Sequence, residues 1–297
     1  MPRRLSMTDS GTYEEGRWTS PDGLSLYYRD YPAEGSNERL PVICLHGLTR
    51  NSKDFEAIAP RIAARGRRVI APDVRGRGQS GFDPKPANYQ PKIYARDVLS
   101  LMDSLGIPKA VFLGTSMGGI ITMTLAALRS KAVAAAILND VGPAVAPEGI
   151  ARILGYTGKS PDVGNWDDAV DYVRRTSSAA YPHFGASDWR KFAERTFRDD
   201  GQGPRLDYDP AISGPLKTPS RLTTLMAWLL FRKLARGRPT LLIRGALSDI
   251  VSRDIAQRMK RHAPGLELAE VPDVGHAPVL DEPVAIAAID DFLDRVP

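Results

Sequence analysis

Residues 110–119, AVFLGTSMGG, decide how this chain is read. An apolar run ends in Gly114-Thr115-Ser116-Met117-Gly118, and the residues that follow, GIITMTLAALRS (119–130), have the composition of a helix. A run without polar alternation is what a strand buried on both faces requires. A serine placed between that strand and the helix lies in a tight, strained turn, where glycines two positions to either side leave it room. The helix beginning at Met117 offers free N–H groups and the positive end of its dipole to a developing negative charge. A Gly-x-Ser-x-Gly stretch alone is common, but the strand before it and the helix after it form the context of a nucleophile elbow.

The same alternation extends in both directions. LSLYYRDY (24–31), PVICLH (41–46), RRVIAPD (67–73), AVAAAIL (132–138), PTLLIRG (239–245) and LELAEVPD (266–273) read as strands. Helices are expected over DFEAIAPRIAARG (54–66), through Tyr94, Val98, Leu101, Met102 and Leu105 with Gly106 as the stop, over IAQRMKRHA (255–263), and through Ile286, Ile289 and Leu293. Strands alternating with helices imply an α/β fold, a mostly parallel, doubly wound sheet covered on both faces. From about 142 to 237 the rhythm breaks, with no core-type strand and helical pieces instead. This reads as a helical cap over the carboxyl edge of the sheet, where open α/β sheets hold ligands. The chain therefore divides into a loose N-terminus (1–12), a core (13–141 and 238–297) and a cap (142–237). Within the cap, LMAWLL (225–230), flanked by Arg221 and Arg232, is expected to roof the pocket rather than dip into a membrane surface.

Composition sets the bounds. The chain has 297 residues, 42% hydrophobic and 25% charged, with a formal net charge of +5, which is ordinary for a globular protein. There is no basic arm and no aromatic-basic module, so nucleic acid is not an expected partner. The one cysteine, Cys44, lies in an apolar run and excludes a disulfide within the chain. MPRRLSMTDSGTYEEG (1–16) lacks the apolar segment of a secretory signal, and no run reaches membrane-spanning length. The expectation is a cytoplasmic monomer or homodimer.

A serine hydroxyl needs a base. Of the four histidines, His276 in VPDVGHAP follows the last strand and so shares the carboxyl edge with Ser116. His46 is expected to brace its loop, His262 lies in a polar helix and His183 in the cap. The base in turn needs an acid to fix its tautomer. Asp249, just past the strand at 239–243, is the first choice; Asp140, just past the strand at 132–138, is the alternative. For an oxyanion hole, Met117 N–H is one donor and Leu48 N–H, beside Gly47 in LHGLTR, the second. Candidate pocket residues are His46, Gly47, Trp166, Tyr181, His183, Trp189 and Trp228. No cofactor and no metal is expected.

With these residues in hand, the chain resembles the α/β-hydrolase superfamily over about 13–296. The order Ser116, Asp249, His276 is that superfamily's order, and LHG, APDVRGRGQS (71–80) and VGHAP look like its signposts. The resemblance implies a structural role for Asp73, Arg75, Gly76, Gly78 and Ser80, which border the site. The dehalogenases and epoxide hydrolases of that fold use an aspartate nucleophile, which Ser116 excludes. What remains is a serine hydrolase, carboxylesterase or lactonase, acting on small to medium esters or lactones through an acyl-serine. The alternative is a carbon–carbon bond hydrolase acting on a ring-cleavage acid, whose carboxylate would need a cation such as Arg221, Arg232, Lys233, Arg236 or Arg238. A non-catalytic, receptor-like binding protein is the minor alternative.

Overall fold

The computed structural model describes residues 4–8, 11–35, 39–159, 161–215 and 218–297. The chain opens with a meander of β1 (Arg4–Thr8), β2 (Gly11–Thr19) and β3 (Ser25–Tyr31). There follow β4 (Val42–Leu45), α1 (Ile58–Ala64), β5 (Val69–Asp73), α2 (Pro91–Ser104), β6 (Ala110–Thr115), α3 (Met117–Leu128) and β7 (Val133–Asn139). The next segment holds α4 (Pro147–Tyr156), α5 (Trp166–Ser177), α6 (Ala186–Thr196), the short hairpin β8 (Phe197–Asp199) and β9 (Pro204–Leu206), and α7 (Arg221–Ala235). The alternation then resumes with β10 (Thr240–Gly245), α8 (Arg253–His262), β11 (Leu266–Val271) and α9 (Pro283–Arg295).

The main sheet has the order β1-β2-β3-β5-β4-β6-β7-β10-β11. Strands β5 through β11 of that series are parallel, while β1, β2, β3 and β5 pair antiparallel. It is an α/β-hydrolase fold with a mostly parallel, doubly wound sheet. Side chains of one strand alternate between two cores, as the pleat dictates. Ile43, Leu45, Ala110 and Phe112 face the cluster under α2, α3 and α7. Val42, Cys44, Val111 and Leu113 face the cluster with α1 and α9. Each such buried aliphatic or aromatic side chain contributes about 1.5–3 kcal/mol. The burial also pushes the Cys44 thiol up. Because β4 lies between β5 and β6, successive connections leave it in opposite directions. That opens a crevice at the carboxyl ends of β4 and β6.

Three features depart from the sequence reading. Arg4–Thr8, expected to be loose, pairs with β2 as an edge strand. The segment after β7 contains the small β8–β9 hairpin. The helix α7, expected to roof the pocket, turns Trp228, Phe231 and Leu234 into the core against α3 and α8, and leaves Leu222, Leu225, Met226 and Leu229 exposed. Trp228 lies tilted against His262 at 4.8 Å between ring centroids, and Arg258 covers its ring at 4.4 Å. Among the described residues no helix is long and apolar enough to cross a membrane.

Candidate active site

Ser116 stands between β6 and α3 with φ 51° and ψ −114°, a conformation that ordinary residues avoid. The flanking glycines make this turn possible. A Cβ on Gly114 would lie 2.5 Å from the Gly118 carbonyl carbon, and one on Gly118 would lie 1.9 Å from Leu45 O. The turn is fastened to β7: Ser116 N–H donates to Asn139 O at 3.0 Å, and Asn139 Nδ2 donates to Thr115 Oγ1 at 3.1 Å.

The loop after β11 brings His276 back over the sheet to this turn. Its Nε2 lies 3.0 Å from Ser116 Oγ, positioned to accept that proton, and its Nδ1 lies 2.8 Å from Asp140 Oδ2. Asp140 is wholly buried, has φ 51°, and accepts further bonds from Gly245 N–H at 3.0 Å and Ser248 Oγ at 2.6 Å. The partner of His276 is thus Asp140, the alternative acid, and not Asp249. The reason lies in the turn after β10. Ser248 Oγ accepts from the N–H groups of Ile250 and Val251, at 3.1 and 3.0 Å, which folds the turn so that Ser248 reaches Asp140. Asp249 instead meets α4, where Arg152 Nε and Nη2 donate to its carboxylate at 2.6 and 2.8 Å. Burial alone would raise the Asp249 carboxyl, but Arg152 holds it below the usual range.

Leu48 and Met117 flank Ser116 from two directions. A Cβ on Gly47 would lie 3.8 Å from Ser116 Cβ, so the loop after β4 passes directly over the serine. Met117 opens α3, and an N–H in a helix's first turn has no intrahelical acceptor. One residue that the sequence reading passed over braces both. Arg77, fully buried, donates from Nε to Leu48 O at 2.8 Å and from Nη1 to Tyr94 Oη at 3.0 Å, and its Nη2 contacts Met117 Sδ at 3.6 Å. Its signal was the second arginine of RGRG, at 75–78.

The residues bordering the site are fixed by buried bonds. Asp73 accepts from Ser52 N–H at 2.7 Å and Gln79 N–H at 2.8 Å. Arg75 gathers Asp22, Asp83 and Asp97. Ser80 Oγ donates to Asp73 O at 2.6 Å. Gly76 and Gly78 have φ 75° and 53°, and a Cβ on Gly78 would strike the Asp73 carboxylate. His46 Nδ1 donates to Gly47 O at 2.8 Å, and its Nε2 accepts from Val74 N–H at 3.0 Å. Burial drives the His46 imidazole down to about 4, which leaves it a neutral brace.

A cavity of about 130 Å³ contains Ser116 and His276. Of the expected pocket residues, Gly47 and Tyr181 line it. His46 lies beneath it, fully buried. Trp189 packs with Tyr181, Phe184 and Phe192 in an aromatic cluster formed by α6 and the turn before it. Trp166 lies under Arg190 at 5.0 Å, His183 is exposed beside Asp273 O, and Trp228 belongs to the core. Nor do Arg221, Arg232, Lys233, Arg236 or Arg238 line this cavity. Four of that set, Arg232, Lys233, Arg236 and Arg238, border a separate surface pocket with Ser130 and Pro239. Instead the cavity wall carries Arg50, Arg152 and Arg195, with Tyr156, Tyr172 and Tyr208. Nothing local in the sequence distinguishes these arginines from the other basic residues; only the folding of α4 and α6 over the sheet edge does.

A family model described as alpha/beta hydrolase fold matches residues 41–283. The 3-hydroxybutyrate-oligomer hydrolase of Cupriavidus necator is 34% identical over 280 residues, covering 92% of this chain and 94% of that protein. An alpha/beta hydrolase of Novosphingobium aromaticivorans, solved by crystallography, is 42% identical with a TM-score of 0.89, covering 98% of this chain and 100% of that one. The 2-(acetamidomethylene)succinate hydrolase of Mesorhizobium japonicum is 26% identical over 254 residues, 85% of this chain and 87% of that protein.

Proposed function

We propose, from the premise that this chain belongs to the alpha/beta hydrolase family, that it is a serine hydrolase cleaving small carboxylic esters, including esters of short hydroxy acids, or lactones. The observation that carries this reading is the unbroken relay from Ser116 Oγ through His276 to Asp140, at 3.0 and 2.8 Å. On this reading His276 Nε2 takes the hydroxyl proton as Ser116 attacks the carbonyl. Asp140 holds the Nδ1–H tautomer and stabilises the imidazolium that forms. Leu48 and Met117 N–H groups receive the oxyanion, a contribution of roughly 3–4 kcal/mol per donor. His276 returns its proton to the leaving alcohol, and the acyl-serine is hydrolysed by water that His276 activates in turn. The likeness to the 3-hydroxybutyrate-oligomer hydrolase supports a hydroxy-acid ester as the first substrate to test.

The test is turnover of the linear 3-hydroxybutyrate dimer and of a 4-nitrophenyl ester series from acetate to decanoate, by wild type and Ser116→Ala. Wild type is expected to hydrolyse the dimer and the short esters, with rates falling beyond chains that a cavity of about 130 Å³ admits. Ser116→Ala should lose at least ~10⁴-fold in kcat. Full activity in that variant overturns the reading. Turnover of a ring-fission dienoate in preference to every ester would move it to carbon–carbon cleavage by the same residues.

A further inference from the structure

Three arginines line the cavity that holds Ser116, and two of them are already engaged. Arg50 gives Nε and Nη2 to the Asp54 carboxylate, at 2.6 Å for the closest contact, and Nη1 to Thr196 Oγ1, while its guanidinium lies over the Phe192 ring at 4.4 Å. Arg152 is held bidentately by Asp249. Arg195, in the last turn of α6, is different. Among the described residues its guanidinium has no hydrogen bond and no ion pair; only its backbone carbonyl is used, as the acceptor for Asn51 Nδ2 at 3.1 Å. It is half-buried. Its charge is felt inside the cavity. Burial alone would raise the Asp54 carboxyl, yet Arg50 and then Arg195 hold it low.

A guanidinium on the wall of this small cavity, without a carboxylate partner, is available to bind one. Arg50 and Arg152 are each ion-paired to an aspartate, which leaves Arg195 as the wall arginine without a carboxylate partner among the described residues. A single guanidinium without a partner suits one carboxylate. A guanidinium presents parallel N–H donors that match a carboxylate bidentately, with directionality an ammonium lacks. A phosphate dianion would call for more positive charge than this wall holds. Among the hydroxyl side chains of the wall, Leu48, Phe55, Ile153, Val173 and Leu206 supply apolar surface that suits a short hydrocarbon segment between the two ends of a ligand.

We infer that Arg195 is a specificity-determining residue which binds the free carboxylate of the substrate while Ser116 attacks an ester carbonyl elsewhere in the same molecule. The substrate class is thereby narrowed from small esters to small anionic esters, those that keep one unesterified acid end. This rests on the serine-hydrolase reading for its catalytic step, but the binding step stands separately.

The experiment compares the linear 3-hydroxybutyrate dimer with its methyl ester, which removes that charge and adds a methyl group, reads cleavage of the internal ester alone by chromatography of the products, and uses 4-nitrophenyl butyrate to report the hydrolase itself. Wild type should prefer the free acid in kcat/KM. Arg195→Gln should reduce that preference ~10–100-fold, chiefly through KM for the acid, and Arg195→Lys should restore part of it. A wild type indifferent to the charge, or an Arg195→Gln variant that lowers acid and methyl ester alike, overturns the proposal. If wild type hydrolyses none of the three, the serine-hydrolase reading fails, and Arg195 is judged by calorimetric binding of the dimer acid to Ser116→Ala with and without Arg195→Gln. A loss of affinity of ~10-fold or more in the double variant supports the inference; equal or absent binding overturns it.

Discussion

Asp140 and Asp249 are the same side chain in loops that follow neighbouring strands, yet only one reaches the histidine. Asp140 is fixed by its backbone at φ 51° and by Gly245 and Ser248, which leaves a lone pair of Oδ2 for His276 Nδ1. Asp249 spends its charge on Arg152. If Asp140 orients the imidazole, Asp140→Asn should lower kcat on a short ester ~10³–10⁴-fold, because an amide favours the wrong tautomer. Asp249→Asn should cost less than ~10-fold. Steady-state kinetics of the two variants side by side decides the matter, and a reversed order would return the role to Asp249. Ser116 and His276 were legible because each follows a strand directly and the elbow glycines announce the turn. The acid was not legible. The choice between two strand-end aspartates depends on the side-chain bonds of Ser248 and on an arginine about a hundred residues earlier in the chain, and no local pattern records either.

Among the elements, α4 and α7 show how the same composition serves different ends. Both come from the segment read as one cap. Helix α4 leans on the core loop so closely that a Cβ on Gly149 would lie 2.4 Å from Asp249 O, and its Arg152 ion-pairs there. Helix α7 carries two apolar stripes, Trp228-Phe231-Leu234 and Leu222-Leu225-Met226-Leu229. From sequence alone either stripe qualifies as the buried one, since both have helical spacing. The core selects the aromatic stripe because it fills the groove against α3 and α8. The strand-helix alternation was readable because continuous apolar runs have few other uses, whereas the packing direction of an all-round apolar helix is a tertiary decision. The Arg152–Asp249 pair is about 30% exposed on each side, so it is worth about 1 kcal/mol at most after solvent screening. Arg152→Ala should therefore raise amide exchange in residues 147–156 by roughly 5-fold, while exchange in α3 stays as it was. Unchanged exchange in α4 would mean that the pair does not hold this helix down.

At the scale of the whole molecule, two loops that border the site, those after β4 and β5, are joined beneath it by one neutral imidazole. His46 spans the loop after β4 and the start of the loop after β5, donating to Gly47 O and accepting from Val74 N–H. Full burial removes the water that would solvate a charged ring, and the neighbouring Arg77 charge disfavours it further. Its folded-state pKa is accordingly about 4, against the ordinary 6.5 of an exposed chain. Between those values the unfolded state binds more protons than the folded state, so stability falls as pH drops. The contribution is complete above about pH 6.5, declines through the interval, and is gone below about pH 4, a loss of roughly 3 kcal/mol. Set against a typical total of about 5–15 kcal/mol, that is a large share from one side chain. Denaturant unfolding at pH 7.5, 6, 5 and 4 should show the midpoint falling steeply over the interval. His46→Gln should be less stable at pH 7.5, because a buried brace is replaced, but its midpoint should fall less between pH 6.5 and 4. Equal slopes in the two proteins would mean that other groups set the acid limit and that the imidazole beneath the site does not.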